Sequence, residues 1–92
     1  MFKRLSVAKG ATLNIHVPTN GKVFGRITQS VVTNGNNAPV AQLESVGVEG
    51  GYMIMRLSAQ QTMRMSGTYR YYIAAETELS VENLQYGILT IL

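Results

Sequence analysis

The 92-residue sequence contains no cysteine, no aspartate and a single histidine, His16. Without cysteine, neither a disulfide framework nor a thiolate metal site can form, and the redox state of the compartment leaves no trace. Enzymatic catalysis usually needs a poised nucleophile, acid or base, and one histidine with five glutamates is a poor inventory for that chemistry. We therefore predict that the protein is not an enzyme.

The familiar patterns for metal ions and phosphate groups are also missing. The glutamates and His16 show no known ligand spacing. Because His16 alternates with the apolar Ile15 and Val17, we expect it on the solvent side of a strand, with no obvious catalytic partner. No P-loop or dinucleotide-binding pattern occurs, and Gly50-Gly51 precedes a strand-like run rather than a helix. We expect no cofactor and no metal.

Charge is sparse, and its scarcity is more informative than its sign. Charged residues make up 14% of the sequence, against about 25% in an average globular domain, and the formal net charge is +3. Neutral polar groups cost less to desolvate than ions when a partner covers them. A small domain also buries a modest share of its surface and benefits from oligomeric support. We therefore expect lasting contact with other proteins, including a homo-oligomer.

Long apolar runs are absent as well. No stretch approaches the roughly 18 apolar residues of a membrane-spanning helix. The apolar stretch that follows Lys3 and Arg4 ends at Lys9, which is too short for the core of a signal peptide. The expected product is soluble and intracellular, with no membrane partner.

What the sequence does contain is a series of short strand-like segments separated by turn signals. Alternating or β-branched segments occupy residues 12–17, 23–32, 40–48, 52–57, 68–76 and 84–92. Turn signals recur at intervals of roughly 8 to 12 residues, which favours a sandwich over a βαβ fold. We predict an all-β fold, an antiparallel β-sandwich of about six or seven strands in a single domain over residues 1–92.

Two neighbouring strands carry a specific pairing prediction. Residues 18–21 read Pro-Thr-Asn-Gly, a combination that favours a tight turn. Segments 12–17 and 23–32 are therefore predicted to pair with each other as a hairpin. The dense apolar run 52–57 is predicted to be a strand buried on both faces.

A short helix is predicted after that buried strand. Ser58 is a good N-cap, and Gln61 stands three residues later, as in a capping box. Gly67 can end the helical turn and return the chain to a strand. The sequence thus predicts one short crossover helix near 58–66.

Cationic and aromatic residues in the second half leave a different function open. Arg56 and Arg70 lie near Tyr69, Tyr71 and Tyr72, and such mixtures on strands can stack single-stranded bases. The eight lysines and arginines are scattered along the chain, whereas a phosphate-tracking groove usually concentrates them. A single-stranded nucleic-acid-binding β-barrel is therefore kept as the alternative, and core tyrosines with isolated surface arginines are the favoured interpretation.

The second half also resembles a known class of protein module. The resemblance is carried by YMIMRLSAQQTMRMSGTYRYYI, residues 52–73, and by the final YGILTIL. Small β-sandwich modules of tailed-bacteriophage virion proteins, such as the N-terminal domain of upper baseplate proteins and head or tail accessory domains, run in a similar order. In these modules a buried strand precedes a Leu-Ser/Thr-Ala-x-x-Thr helical turn, a Gly, a Tyr-rich strand and a closing strand. Here residues 57–62, 67–69 and 87–91 match the last parts of that order.

The resemblance implies a structural virion protein, made in the host cytoplasm and present in many copies in the particle. Its partners would be capsid, tail or baseplate proteins. The polar loop 33–39 is expected to be mobile or bound to a partner. The candidate contacts are residues 34–39 of this loop, the N-terminal segment 2–5 and the exposed tyrosines or methionines. The residues predicted to bind a partner are Phe2, Leu5, Asn34, Asn36, Asn37, Pro39, Met63 and Met65.

Overall fold

A computed structural model describes residues 1–92 as eight strands and one helix. The elements in chain order are β1 (Phe2–Val7), β2 (Leu13–Pro18), β3 (Ile27–Thr33), β4 (Pro39–Gln42), β5 (Glu44–Glu49), β6 (Tyr52–Leu57), α1 (Ala59–Met63), β7 (Gly67–Glu76) and β8 (Val81–Ile91). The predicted all-β class with one short helix is confirmed. The strand number is higher than predicted, because β1 was not foreseen and segment 40–48 forms two strands.

The strands form two sheets. The large sheet has five strands in the order β1-β8-β7-β3-β4, and the small sheet has three in the order β2-β6-β5. Neighbouring strands run antiparallel except β1 and β8, which are parallel. The pairing is thus mostly antiparallel, as predicted, and the single parallel pair lies where the first and last strands of the chain meet.

The inner faces of both sheets contribute to a single cluster of 13 buried hydrophobic residues. Met55 and Leu57 enter it from the small sheet, and Tyr71 and Leu89 enter it from the large sheet; all four are fully buried. Burial of about 25 cal/mol per Å² of apolar surface makes this shared core the main source of stability. Each sheet therefore has one inner face and one outer face.

The predicted hairpin between segments 12–17 and 23–32 is wrong. The turn itself forms, because the Lys22 amide donates to the Thr19 carbonyl oxygen at 3.0 Å. However, β2 pairs with β6 in the small sheet, and β3 pairs with β4 and β7 in the large sheet. The Asn-Gly signal predicts how the chain turns locally, and the nonlocal partners of each strand decide which sheet it joins.

Segment 40–48 was predicted as one irregular strand, and it is two strands in different sheets. The division occurs at Leu43, which is 3% exposed. Its amide donates to the Ser30 carbonyl oxygen at 2.8 Å before the chain leaves the large sheet. The irregular alternation of apolar and polar residues in this segment thus coincides with the point where the chain passes from the large sheet to the small sheet.

Strand β6 is buried on one face only. Met53, Met55 and Leu57 lie in the core, whereas Tyr52 is exposed and Ile54 is half-buried. The prediction of burial on both faces is wrong because no further layer covers the outer face of the small sheet. The apolar run reflects a central strand whose outer side chains contact their cross-strand neighbours.

The helix is confirmed together with its cap. Ser58 Oγ accepts a hydrogen bond from the Gln61 amide at 3.1 Å, and Gln61 Oε1 accepts one from the Ser58 amide at 2.9 Å. Within the helix, Thr62 Oγ1 accepts from the Gly10 amide at 3.1 Å and lies 2.8 Å from the Ala11 carbonyl oxygen. These bonds anchor the crossover helix to the turn that joins β1 and β2.

Candidate binding face and sheet edges

The outer face of the large sheet carries an unusual combination of side chains. On β7, Tyr71 and Ile73 point into the core, so Arg70 and Tyr72 point outward. The registers of the neighbouring strands identify the outward residues beside them. We define the aromatic–arginine face as Phe2, Arg4, Val31, Arg70, Tyr72, Tyr86 and Ile88.

Three aromatic residues lie side by side across this face. Tyr86 is the register partner of Phe2 on one side and of Tyr72 on the other. The rings of Phe2 and Tyr86 meet edge to face, with centroids 5.7 Å apart and planes at 68°. Phe2 is 48% exposed and Tyr86 is 42% exposed. The row therefore presents aromatic surface that the chain itself does not cover.

Two arginines form the next row. Arg4 and Arg70 flank Ile88 in register, and the Arg4 Cζ atom lies 5.9 Å from the centroid of the Phe2 ring. Neither guanidinium makes a hydrogen bond or an ion pair within the chain. The ion pairs of the molecule, Lys22–Glu82 and Arg26–Glu76, lie away from this face. The face is thus cationic and aromatic, and its outward positions contain no carboxylate.

A buried tyrosine supports the face from beneath. Tyr71 Oη donates to the Lys3 carbonyl oxygen at 3.1 Å and accepts from Gln85 Nε2 at 3.0 Å. Burial raises the pKa of the Tyr71 phenol, and the hydrogen bond from Gln85 lowers that pKa in part. The phenol therefore stays protonated and ties β1 to the large sheet.

Gly87 allows the parallel strands to approach beneath Phe2 and Arg4. A Cβ atom at this position would overlap the carbonyl oxygen of Lys3, which is backbone and cannot move aside. Gly87 is also the register partner of Tyr71, so the absence of a side chain leaves a path for the Tyr71 ring toward β1. The glycine is therefore required for the position of β1 and of its outward side chains.

The predicted contact residues do not form one surface. Phe2 belongs to the aromatic–arginine face, whereas Leu5 is half-buried and packs against the core. Met63 is 57% exposed on the helix, and Met65 is 5% exposed within the core cluster. Met65 therefore cannot present its side chain to a partner in this conformation.

The polar loop between β3 and β4 is an ordered hairpin turn. Asn34 Oδ1 accepts from the Asn36 amide at 2.9 Å and from the Ala38 amide at 3.0 Å. Asn37 adopts a left-handed conformation with φ of 59°. Asn36, Asn37 and Pro39 remain exposed, while Asn34 uses its side-chain oxygen to hold the turn. The turn lies beyond β3 and β4, at the far side of the large sheet from Phe2.

The residues considered for nucleic-acid binding are divided between the two sheets. Tyr71 is fully buried, and Tyr69 is half-buried with its hydroxyl bonded to the Ser66 amide. Arg56 lies on the small sheet and donates to Asn14 Oδ1 at 3.0 Å. Only Arg70 and Tyr72 of this set lie on the aromatic–arginine face.

Sequence reasoning singled out neither Tyr86 nor Ile88, and it included Arg4 only as part of the N-terminal segment 2–5. These residues meet only because the first and last strands of the chain pair in parallel. One available signal was the alternation of β1, in which Leu5 and Val7 share the side that faces the core. That alternation would have identified a strand with Arg4 on its outward side.

No group of three or more His, Cys, Asp and Glu side chains is placed so that it could hold a metal ion. The fold also has no helix that is long and apolar enough to cross a membrane. The largest depression is an open one at the end of the molecule that carries both ion pairs, and it is lined by residues of the loops 22–25 and 76–80.

Known protein families and curated proteins offer no match to this chain. Function is therefore inferred from the geometry and chemistry of its surface. The aromatic–arginine face is the most distinctive part of that surface, because it combines uncovered rings with cations that have no internal partner.

Proposed function

We propose that the protein is a non-catalytic structural module of a tailed-phage particle, which binds a capsid, tail or baseplate protein through the aromatic–arginine face. The observation that carries this proposal is the row Phe2, Tyr86 and Tyr72, with Arg4 and Arg70 beside it and no carboxylate among them. Such a module acts in the virion, in many copies, after its synthesis in the host cytoplasm.

The composition of the face is that of a protein-binding surface. Tyrosine, phenylalanine and arginine are enriched in the buried centres of protein interfaces, where lysine, glutamate and aspartate are depleted. The aromatic rings are held by neighbouring strands, so little conformational entropy is lost when a partner covers them. An arginine that has no hydrogen bond within the chain can donate one to the binding protein without breaking a bond of the fold.

The setting in a phage particle rests on the sequence resemblance of residues 52–73 and of the closing strand. The helix cap of Ser58 and the return at Gly67, which has φ of 84°, lie within the resembling region. The face adds a chemical reason for assembly, and the sparse charge agrees with a protein that remains in contact with neighbours.

The proposal is tested by incorporation into particles. Wild-type chain and the R70E variant are produced during infection by a phage that encodes this chain, and the chain in purified particles is quantified by mass spectrometry. We expect the wild type in many copies per particle and R70E reduced at least about tenfold, which corresponds to a loss of about 1.4 kcal/mol of binding free energy.

The matched control for that experiment is R64E, which makes the same charge change at an exposed arginine next to the helix. R64E should be incorporated like the wild type. Equal incorporation of R70E and the wild type would contradict a role of the face, and absence of the wild-type chain from particles would contradict the virion setting.

Binding of single-stranded nucleic acid is the second candidate function. The observation that favours it is the placement of two unpaired arginines next to an aromatic row on an open sheet, because bases stack on rings while phosphates pair with cations. Fluorescence anisotropy with a labelled oligothymidine, at about 50 and 200 mM salt, separates the two candidates. Salt-sensitive binding that R70E abolishes would favour nucleic acid, and its absence leaves the protein partner.

A further inference from the structure

The sheets have four free edges, and they differ in how well they are protected against pairing with another chain. The edges are β1 and β4 in the large sheet and β2 and β5 in the small sheet. Strand β2 ends in Pro18, and β4 has only four residues and begins at Pro39. Proline and short length are common devices against edge pairing. Strands β1 and β5 have six residues each and contain no proline.

Strand β1 presents unpaired backbone groups on its open side. The Met1 carbonyl oxygen accepts from the Tyr86 amide, and the Val7 carbonyl oxygen accepts from the Leu92 amide, at 3.0 and 2.9 Å. In a parallel pair the residues of one strand alternate between facing the partner and facing away. The backbone groups of Phe2, Arg4 and Ser6 therefore point away from β8.

Strand β5 is the most exposed strand of the molecule. All six of its residues are exposed, and Val48 retains 70% of its surface and Val46 retains 43%. Its only partner in the chain is β6, and a register shift occurs between Ser45 and Gly47. When another strand is added to this edge, apolar surface of the two valines is removed from water, which favours the addition.

The two open edges carry opposite charge. Lys3 and Arg4 lie on β1, while Glu44 and Glu49 lie on β5, and none of the four forms an ion pair within the chain. Pairing β1 with β1, or β5 with β5, would bring like charges together. Pairing β1 with β5 brings unlike charges together, which favours this combination and suppresses the other two.

We propose that β1 of one copy adds to the β5 edge of a second copy, so that the protein assembles head to tail with itself. This contact uses different surfaces on the two copies and is therefore heterologous, and it generates a ring if the rotation closes or a filament if it does not. The inference goes beyond the proposed function, because it names a second copy of this chain as the occupant of the edges.

The experiment is a charge exchange followed by light scattering. Wild-type protein, K3E and E49K are measured alone at two protein concentrations, and circular dichroism verifies the fold of each. The solution mass of the wild type should exceed the 10.1 kDa of one chain and should rise with protein concentration. The solution mass of each variant alone should be closer to 10.1 kDa. Each variant changes one of the two edges, β1 in K3E and β5 in E49K, so every β1–β5 contact between identical copies is weakened by one changed charge.

Mixing the two variants provides the decisive measurement. K3E offers a more acidic β1 to the more basic β5 of E49K, so the mixture should recover a mass above that of either variant alone. A monomeric wild type, an unchanged mass for both single variants, or no recovery in the mixture would each overturn the proposal.

The β1 edge shares Phe2 and Arg4 with the aromatic–arginine face, and R70E distinguishes the two contacts. R70E changes the face and leaves both open edges intact, so it should keep the wild-type mass in solution while losing incorporation into particles. Loss of self-association in R70E would overturn the assignment of that contact to β1 and β5.

Discussion

The arginines on the outer faces of the two sheets differ in whether they have a polar partner within the chain. On the small sheet, Arg56 donates to Asn14 Oδ1 at 3.0 Å and is the register partner of Glu44. Nearby, His16 and Tyr52 pack edge to face with centroids 5.9 Å apart. On the large sheet, Arg4 and Arg70 have no polar partner within the chain. Arg56 on the small sheet therefore has a polar partner within the chain, whereas the two arginines on the large sheet remain available to another molecule.

This difference distinguishes outward arginines that have a polar partner within the chain from those that have none. A side chain with an internal partner contributes to folding stability and leaves less for a ligand. A side chain without such a partner contributes little to stability and keeps its donors free for contact with another molecule. The following substitutions test this division between the sheets, beginning with the support of the large sheet.

Gly87→Ala should have the largest effect, because the new Cβ atom would collide with the Lys3 carbonyl oxygen and displace β1. We expect a loss of about 3 kcal/mol or more in the free energy of unfolding. Urea denaturation followed by circular dichroism measures it. Gly35→Ala, at a site with no atom within 4 Å of the new Cβ, is the control and should change stability by less than about 0.5 kcal/mol. Similar stability of the two variants would contradict the close approach of β1 and β8.

Tyr71→Phe should destabilise by about 1–3 kcal/mol, because it leaves buried polar groups unpaired. Gln85 Nε2 would lose its partner, and Gln85 Oε1 is already buried without one. Tyr72→Phe on the outer face removes a hydroxyl that makes no hydrogen bond within the chain and should be nearly neutral. Thermal denaturation of both variants checks the contrast, and equal melting temperatures would show that the Tyr71 hydroxyl does not anchor β1.

Alkaline pH should weaken the large sheet through the same phenol. The folded state raises the pKa of Tyr71 above the ordinary value of 10.0, so the folded state holds this proton more tightly than the unfolded state does. The stabilisation is complete below pH 10.0 and is lost as pH rises through the folded-state pKa. Melting temperature measured against pH should fall less steeply above this point in Tyr71→Phe than in the wild type. If the melting temperatures of the wild type and Tyr71→Phe fell in parallel with pH, the loss of stability would not come from the Tyr71 phenol.

The smallest expected change in stability comes from replacing one arginine on the outer face of each sheet. Arg56→Met should cost about 0.5 kcal/mol, because a partly exposed hydrogen bond to Asn14 is lost while the apolar stem is kept. Arg70→Met should leave the free energy of unfolding unchanged within error, since its guanidinium bonds to nothing in the chain. Chemical denaturation of both proteins measures the difference. A larger loss for Arg70→Met would show that the large sheet uses its outward arginine for folding.

The features predicted correctly from sequence are those that depend on neighbours along the chain. The capping box of Ser58 and Gln61 spans three residues, and the alternation of Tyr71 and Ile73 identifies the inner face of β7. Gly67 has the predicted left-handed conformation and begins the predicted strand β7, although the helix already ends at Met63. Each of these features is decided by local backbone geometry and side-chain periodicity, which any window of the sequence contains.

The candidate site could not be predicted in the same way. Arg70 and Tyr72 were singled out, but they were grouped with Arg56, which lies on the other sheet. The aromatic–arginine face requires Phe2 from β1 and Tyr86 from β8, separated by almost the whole chain. No local pattern specifies a parallel pairing between the two ends.

By itself, the sequence determined the strand-rich class, the capped helix and the inward side of β7, because period and turn chemistry act over a few residues. Only the tertiary structure decided that β2 and β3 separate into different sheets and that the chain changes sheet at Leu43. It also decided which side chains share the aromatic–arginine face and which edges stay open. The physical reason is that strand partners are selected by nonlocal burial and backbone hydrogen bonding, which compete across the whole chain.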